Sequence, residues 1–246
     1  MTNPIADATS RFSDRILRFL ERVEHRVATT PAEKEAVYRL RYQAYLRNGL
    51  IEAHPDERLH DERYDDAPNA WITTTFIDGE LASTTRVNVA AQEGAPLPSF
   101  AVYPDVMRPY LRAGRLIVES TRTAARLDLA GHFPELPYIT LRPTYLAADF
   151  FDADFAIATA RADHVAFFRR VFGFTAWCEP REYPDFTAKV LCLGMDFHAL
   201  RDGIEARYPF FRSTLAERDA LFGSQGAELR REANALRQAV EVRASA

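Results

Sequence analysis

The sequence predicts one α+β domain with helical additions at both ends. Amphipathic helical spacing and β-branched strand patterns follow one another along the chain, and neither an internal repeat nor a low-complexity linker separates them. We expect an N-terminal helical extension over residues 1–21, a main domain over residues 22–212 and a C-terminal helical extension over residues 213–246. The hydrophobic fraction of 47% and the charged fraction of 27% are those of an ordinary globular protein.

The first third of the chain carries clear element signals. Residues 9–21 have the near-helical apolar spacing of an amphipathic helix, and a short strand is expected over residues 23–28. The run Thr30-Pro31-Ala32-Glu33 combines an N-cap residue, a proline at the first helical position and a capping-box glutamate. It predicts a helix that continues to Asn48-Gly49, followed by a polar, acidic loop over residues 52–69.

The rest of the main domain reads as alternating strands and helices. Strands at residues 71–77 and 81–89 form a hairpin signal around Asp78-Gly79-Glu80. The further predicted elements are, in order, a strand at 115–123, a helix at 141–151, a strand at 155–159, a helix at 164–172 that ends at Gly173, and strands at 175–179 and 188–195.

The tail over residues 214–240 has a helical composition that is interrupted at residues 223–226. A narrow apolar stripe follows, formed by Leu229, Ala233, Leu236 and Val240. We expect this stripe to pack against the domain, because amphipathic helices usually serve packing. An oligomer contact and a lid over a lipophilic tunnel are the alternatives.

Composition and motifs argue against several function classes. The net charge of −4 disfavours general nucleic-acid binding. No uninterrupted apolar stretch approaches the ~18 residues of a membrane helix, and the N-terminus is too polar for an export signal, so we expect a cytoplasmic protein without an integral membrane segment. The sequence shows no metal-ligand spacing of His or Cys, no phosphate-binding or dinucleotide-binding loop and no nucleophile elbow. We therefore expect no metal site.

Charged residues interrupt otherwise structural patterns in the first half of the chain. Arg41 and Tyr45 lie one turn apart on one face of the second predicted helix. The acidic loop over residues 61–65 could pair with such arginines.

A second interruption falls in the strand predicted at residues 115–123. Alternation places Glu119 and Thr121 on one face of this strand, and Ser120 and Arg122 on the other. A charged glutamate in a central strand is costly unless it is paired or functional. Glu119 is therefore a candidate functional residue.

Four short motifs occur in the order found in the acyl-homoserine-lactone synthases. They are Arg41-x-x-x-Tyr45, the acidic loop ending in Tyr64-Asp65, Arg86 at the end of a strand, and Glu119-x-Thr121-Arg122. The sequence resembles the related long-chain N-acyl amino acid synthases more closely. This resemblance lies in residues 40–45 and in Pro134-Glu135-Leu136-Pro137-Tyr138 continuing through His164 to Gly173. The resemblance covers roughly residues 22–196. It implies a Gcn5-related N-acyltransferase fold, with a mixed sheet splayed between two middle strands and helices on both faces.

The resemblance implies that a long-chain fatty acyl group moves from an acyl carrier protein thioester to the α-amine of an amino acid, in a bacterial protein similar to the autoinducer synthases. It implies a catalytic role for Glu119. Substrate binding would fall to Arg41, Tyr45, Asp65, Arg86, Thr121 and Arg122. No tightly bound cofactor is implied. The expected donor is the acyl-phosphopantetheine of the carrier protein, and acyl-coenzyme A is the alternative.

The sequence departs from these families at informative positions. Ile51 stands near a tryptophan of the lactone synthases, and Glu62 replaces the first aspartate of their acidic pair, so we do not expect S-adenosylmethionine as a substrate. Residues 122–131 lack the glycine-containing phosphate loop of coenzyme-A-dependent relatives, which favours delivery by a carrier protein. The tyrosine that often protonates the leaving thiolate is replaced by Phe168 or Arg169.

The chemistry requires only a modest base. An α-amine with a pKa near ~8 is about one-tenth neutral at pH 7, so Glu119 could accept its proton directly or through water. Backbone N–H groups at residues 119–123 of a splayed strand could stabilise the oxyanion. The alternative is a purely structural ion-pair network, joining Glu119 and Arg122 to Arg41, Asp65 and Arg86.

Two further residue sets have predicted roles. A basic surface for an acidic carrier protein is expected from Arg126, Arg142, Arg161, Arg169 and Arg170, with ordinary solvated arginines as the alternative. An aromatic set is expected mainly in the core, with some members lining an acyl tunnel: Phe150, Phe151, Phe155, Phe167, Phe168, Phe172 and Phe174.

Competing interpretations of the whole chain are an acyl-homoserine-lactone synthase, an ornithine-lipid-type acyltransferase and a non-catalytic acyl-binding module. A homo-oligomer formed through the C-terminal helix stays open.

Overall fold

A seven-stranded sheet forms the centre of the protein in a computed structural model, which describes residues 4–184 and 186–244. The strands are β1 (Val23–Val27), β2 (Ala70–Ile77), β3 (Glu80–Ala90), β4 (Ile117–Ala125), β5 (Phe155–Ala160), β6 (Thr175–Ala176) and β7 (Leu191–Asp196). Their order across the sheet is β1-β2-β3-β4-β5-β7-β6. Only β4 and β5 are parallel, and the other neighbours pair antiparallel. The predicted α+β class with a mixed sheet is confirmed.

The helices of the described residues cover both faces of this sheet. They are α1 (Pro4–Leu20), α2 (Pro31–Arg47), α3 (Glu62–Asp65), α4 (Pro104–Arg112), α5 (Leu127–Ala130), α6 (Leu136–Phe151), α7 (Val165–Phe172), α8 (Phe197–Arg207) and α9 (Leu215–Ala244). Short 3₁₀ helices occupy Pro98–Ala101, Ala162–His164 and Pro209–Phe211. No helix among the described residues has both the length and the apolar character needed to cross a membrane.

Alternation along the strands separates the two layers of the core. Trp71 and Val118 point into the large core that α6 completes with Phe151. Their neighbours face the other way: Ile72 belongs to a cluster with Val37 of α2, and Ile117 to a cluster with Met107 of α4. The sheet is therefore buried on both faces, with α6 on one face and α2 and α4 on the other.

Local capping explains why α2 begins where the sequence predicts. The Thr30 hydroxyl accepts a hydrogen bond from the Glu33 backbone N–H at 3.3 Å, and the Glu33 carboxylate accepts one from the Thr30 N–H at 2.9 Å. This capping box, with Pro31 as the first helical residue, provides acceptors for backbone N–H groups that have no partner within the helix at its N-terminus. The helix presents Arg41 and Tyr45 to the sheet as buried residues.

Several element boundaries differ from the prediction. Helix α6 begins at Leu136 rather than at residue 141, because Pro137 lies in its first turn, where a missing N–H costs nothing. Regular pairing of β6 ends at Ala176 rather than at residue 179. The Trp177 N–H still donates to the Cys192 carbonyl of β7, and a bridge joins Arg181 to Val190, which directly precedes β7. The acidic loop contains the short helix α3.

The C-terminal helix α9 continues through the predicted interruption with a local kink at Gly223, whose φ of 42° and ψ of −144° are not helical. Its apolar stripe packs against the domain. Ala233 is buried, and Val240 lies so close to Gly114 that a Cβ there would be 3.2 Å from Val240 Cγ2. Arg237 adds an ion pair to Asp154 at 2.8 Å.

Candidate active site

The two middle strands of the sheet part from each other halfway along β4. Parallel pairing with β5 covers Ile117 to Ser120 and ends at the pair Ser120 and Ala158. Strand β4 then continues to Ala125, while β5 stays paired with β7 as far as Ala160. The predicted splay between two middle strands is thus present, and the β5-facing backbone of the last five residues of β4 has no partner strand among the described residues.

A β-bulge in β4 marks the same place. Arg86 of β3 pairs with Thr121, but the next pair joins Thr84 to Ala124, so that Arg122 and Thr123 both oppose Thr85. Arg122 adopts a φ of +52°, which is unusual for a residue with a side chain. The bulge changes the direction of β4 at the point where β5 leaves it.

A cavity of about 440 Å³ fills the opening between the strands. Its apolar side is formed mainly by α6 and α7, including Leu136, Leu141, Phe167 and Phe168. Its polar side contains a larger set from α2, β3, β4 and the segment before β7: Tyr45, Arg86, Thr121, Arg122, Tyr183 and Phe186. Cavities of this size hold small-molecule ligands in many proteins. The shape provides one polar and one apolar compartment within a single passage through the sheet.

A buried ion-pair network lies behind the polar side. Arg41 Nη1 donates to Asp65 Oδ1 at 2.8 Å, and Arg86 Nη1 lies 3.3 Å from the same oxygen. Arg86 Nε donates to the Thr121 hydroxyl at 3.0 Å. Burial alone would raise the pKa of Asp65, but the positive charges of Arg41 and Arg86 hold it below its usual value. Asp65 is therefore ionised at neutral pH.

Arg122 joins this network through a second aspartate. Asp61 Oδ2 lies 3.7 Å from Arg122 Nη2 and 3.7 Å from Arg86 Nη1. The Arg122 guanidinium also lies over the ring of Phe186, with 5.3 Å between Cζ and the ring centroid. Two of these guanidinium groups, those of Arg86 and Arg122, line the cavity wall.

Glu119 occupies a different position from the cavity-lining residues. It is fully buried, and it shares a sheet face with Ile117. The Ser99 backbone N–H donates to its carboxylate at 3.0 Å, and the Ser99 hydroxyl donates to the same oxygen. Burial raises the pKa of Glu119 to about 7, although the Ser99 hydrogen bonds and the charge of Arg86 act in the opposite direction. Glu119 is not among the side chains that line the cavity.

The structure thus sorts the predicted substrate-binding residues into two groups. Tyr45, Arg86, Thr121 and Arg122 line the cavity. Arg41 and Asp65 lie behind them and hold the network together.

The residues predicted to contact a carrier protein do not form one continuous surface. Arg142 is buried, where its guanidinium donates to the backbone carbonyls of Phe210 at 2.7 Å and Arg212 at 2.8 Å and pairs with Glu217. The prediction that Arg142 offers its charge to a partner is therefore wrong, because a buried and fully engaged guanidinium does not reach an approaching protein.

The other four predicted carrier-protein residues are accessible in different degrees. Arg126 pairs with Asp128 at 2.6 Å and with Glu80 at 2.8 Å, so its charge is largely neutralised. Arg161 pairs with Asp163 and also lines the cavity. Arg169 and Arg170 are exposed on α7, next to the cavity-lining Phe167 and Phe168.

Sequence reasoning missed three residues of the site. Ser99, which binds Glu119, lies in a 3₁₀ helix within a proline-rich connection. Tyr183 and Phe186 line the cavity with their rings stacked, at a centroid distance of 5.1 Å. None of these three residues is marked by a charge or a spacing pattern in the sequence. All seven predicted phenylalanines lie in or against the core clusters, and two of them, Phe167 and Phe168, also line the cavity.

An open sheet whose middle strands part around a cavity, with helices on both faces, defines the class of Gcn5-related acyltransferases. The family model described as N-acyl amino acid synthase FeeM matches residues 36–196, which is more than half of the chain, and the protein belongs to this family. It is therefore an N-acyltransferase, and the predicted resemblance is confirmed.

Solved structures show the same fold. The structure of FeeM, an N-acyl amino acid synthase from uncultured soil microbes, is 17% identical, with a TM-score of 0.64 over 76% of this chain and 98% of that chain. BjaI, a CoA-dependent acyl-homoserine lactone synthase solved with SAM and isopentyl-CoA, is 14% identical, with a TM-score of 0.55 over 77% of this chain and 88% of that chain. MesI, another CoA-dependent acyl-homoserine lactone synthase, is 17% identical, with a TM-score of 0.53 over 78% and 96%. No curated protein sequence matches the chain.

Proposed function

We propose that this enzyme transfers a long-chain fatty acyl group from the phosphopantetheine thioester of an acyl carrier protein to the α-amine of an amino acid. The observation that carries the proposal is the cavity at the splay, because it joins an apolar compartment between α6 and α7 to a compartment lined by the guanidinium groups of Arg86 and Arg122. A fatty acyl thioester and an amino acid need these two environments side by side.

The acceptor's carboxylate binds at the positive compartment. Arg86 and Arg122 both line the cavity, and guanidinium groups match the planar, two-oxygen geometry of a carboxylate. A carboxylate held there has its α-amine one carbon away, within the opening between β4 and β5.

The reaction forms one C–N bond and breaks one C–S bond. The neutral amine attacks the thioester carbonyl carbon, and backbone N–H groups of β4 beyond Ser120 stabilise the oxyanion. Glu119 takes the proton that the nitrogen loses. It acts through water, since its carboxylate does not line the cavity, and its pKa of about 7 suits a base at neutral pH. Collapse of the intermediate expels the thiolate, which leaves without a dedicated acid.

Two features support a carrier protein as the donor. The chain after β4 forms the short helix α5 in place of a glycine-containing loop that would hold coenzyme A phosphates. Arg161, at the cavity, and the exposed Arg169 and Arg170 of α7 offer positive charge to an acidic partner. The proposal assigns the enzyme to the bacterial cytoplasm, together with its carrier protein.

The test is a direct assay of the purified protein. Acyl carrier proteins loaded with chains of several lengths are incubated with a mixture of amino acids, free thiol release is followed, and amides are identified by mass spectrometry. We expect N-acyl amino acids to form in proportion to the released thiol. Lactones formed only with S-adenosylmethionine, amides formed only from 3-hydroxyacyl donors and ornithine, or binding of the acyl carrier protein without thiol release would each overturn the proposal.

A matched pair of variants tests the acceptor site. Arg122→Gln should raise KM for the amino acid with a smaller effect on KM for the acyl donor, because it removes a cavity-lining guanidinium group that would bind the acceptor's carboxylate. Arg22→Gln is the control, since Arg22 forms an exposed ion pair with Asp78 next to β1 and should leave both constants unchanged.

A further inference from the structure

A second, smaller void lies behind the cavity on the α6 face of the sheet. Its volume is about 20 Å³, and it is bounded by side chains of α6, α7, β5 and β7, among them Thr144, Ala156, Phe172 and Met195. It is large enough for about one water molecule, and its walls are almost entirely apolar. We call it the inner chamber, and the 440 Å³ cavity the outer chamber.

Four residues border both chambers and form the partition between them: Ser120, Leu141, Ala158 and Phe168. Ser120 and Ala158 are the last paired residues of β4 and β5, so the sheet fixes their positions. Leu141 is buried within α6. Phe168 lies on the eight-residue helix α7 and is only half-buried, which makes its ring the most movable part of the partition.

The path of an acyl chain leads to this partition. A thioester carbonyl at the open end of β4 places the chain along the apolar side of the outer chamber, between α6 and α7. The narrow end of the opening is the Ser120 and Ala158 pair, so a chain that fills the outer chamber meets Leu141 and Phe168 next. Beyond them the lining is mainly apolar. It includes Tyr145, whose hydroxyl donates to the Arg201 carbonyl, and Thr144, whose hydroxyl has no hydrogen-bond partner among the described residues.

We propose that the inner chamber receives the terminal carbons of the acyl chain, and that Phe168 sets the longest chain the enzyme uses. This inference rests on the proposed function and adds to it the residue that determines the length of the acyl chain. Phe168 limits length because its ring, which contacts Phe174 at a centroid distance of 5.4 Å, narrows the route from the outer to the inner chamber, so that only the last carbons of the chain pass it. Each methylene newly admitted should increase binding about fourfold, from the usual hydrophobic gain per carbon.

The decisive comparison is between two adjacent phenylalanines. Phe168→Ala removes part of the partition and should move the preferred acyl chain to longer lengths, with kcat/KM for chains longer than the wild-type optimum rising about fourfold per added carbon. Phe167→Ala is the control, since Phe167 lines the outer chamber but not the inner one. This variant should lower kcat/KM for acyl chains of all lengths without moving the optimum chain length.

A filling variant tests the same idea in the opposite direction. Ala156 lines only the inner chamber, on β5, so Ala156→Val should move the optimum to shorter chains and leave short-chain turnover unchanged. It also decides the matter if Phe168→Ala fails to fold, which thermal melts would show. If amides form but both variants keep the wild-type optimum, the inner chamber has no role and the inference is wrong, whereas the proposed function stands. If no amide forms from any carrier-protein donor, the proposed function itself fails.

Discussion

The substitution Glu119→Gln removes a titratable group from the middle of the sheet while nearly preserving its shape. In the folded protein the pKa of Glu119 is raised from 4.5 to about 7 by burial. One pKa unit corresponds to about 1.4 kcal/mol, so the protonated and ionised forms differ by about 3 kcal/mol in how well the fold accommodates them. Between pH 4.5 and 7 the folded chain therefore holds a proton that the unfolded chain has released.

The sign of the effect follows from that proton. The stabilisation is fully present below pH 4.5 and is lost as the pH rises through about 7, since ionising the buried carboxyl disfavours the folded state. Urea unfolding at pH 5 and pH 8 measures it. The free energy of unfolding of the wild-type protein should fall by roughly 2 to 3 kcal/mol more than that of Glu119→Gln between these two pH values.

The same variant tests the chemistry. As the proposed base, Glu119 must be ionised, so kcat/KM of the wild-type enzyme should rise with pH with an apparent pKa of about 7. Glu119→Gln should lose about 10²- to 10⁴-fold in turnover while staying folded. Retained turnover per folded molecule would refute the catalytic role. A wild-type pH dependence of stability that persists in the variant would refute the assignment of the buried proton.

Three other substitutions test separate parts of the site. Ser99→Ala should move the pH–rate profile to higher pH, because the Ser99 hydrogen bonds lower the pKa of Glu119; an unchanged profile would contradict this. Arg41→Ala should lower the free energy of unfolding by roughly 3–5 kcal/mol, since it leaves Asp65 underpaired, yet retain turnover per folded molecule because Arg41 does not line the cavity. Thr144→Val should raise the free energy of unfolding by about 1–3 kcal/mol in urea titrations, since a buried hydroxyl without a partner is removed; a loss of stability would indicate a bound water.

The elements that the sequence predicts best are those with local signals. The capping box that begins α2 and the turn at Asp78-Gly79 involve residues within three or four positions of each other. Helix α6 is harder to predict from the sequence, because Pro137 and Pro143 are residues that usually interrupt a helix. In the structure, tertiary packing of this almost wholly buried helix outweighs their effect. Trp177, directly after β6, lies over Gly194 and leaves no room for a Cβ there, which is a contact between distant positions that local patterns do not reveal.

The site divides in the same way. Alternation along β4 predicts that Arg122 faces away from Thr121, and this is wrong, because the bulge interrupts the alternation there. Arg122 approaches Asp61 together with Arg86, whose Nε donates to the Thr121 hydroxyl. The partner of Glu119, however, is Ser99, which arrives from twenty residues earlier through an irregular connection that has no periodic pattern. Arg142 was misassigned for a similar reason, since its carbonyl acceptor at Phe210 lies 68 residues away. Pairings between residues so far apart in the sequence depend on the assembled fold.

Arg122, which lines the cavity, combines two unfavourable features, and this supports a functional role for the cavity. Among the described residues, four non-glycine residues have positive φ, and three of them, Glu57, Asp78 and Asp152, lie in a loop, a turn and a helix end. Only Arg122 takes this conformation within a strand, at a cost of order 1–3 kcal/mol, and its charge is also buried. A fold selected for stability alone would place neither cost there. Both follow directly from turning β4 away from β5, which is the step that opens the sheet to a substrate.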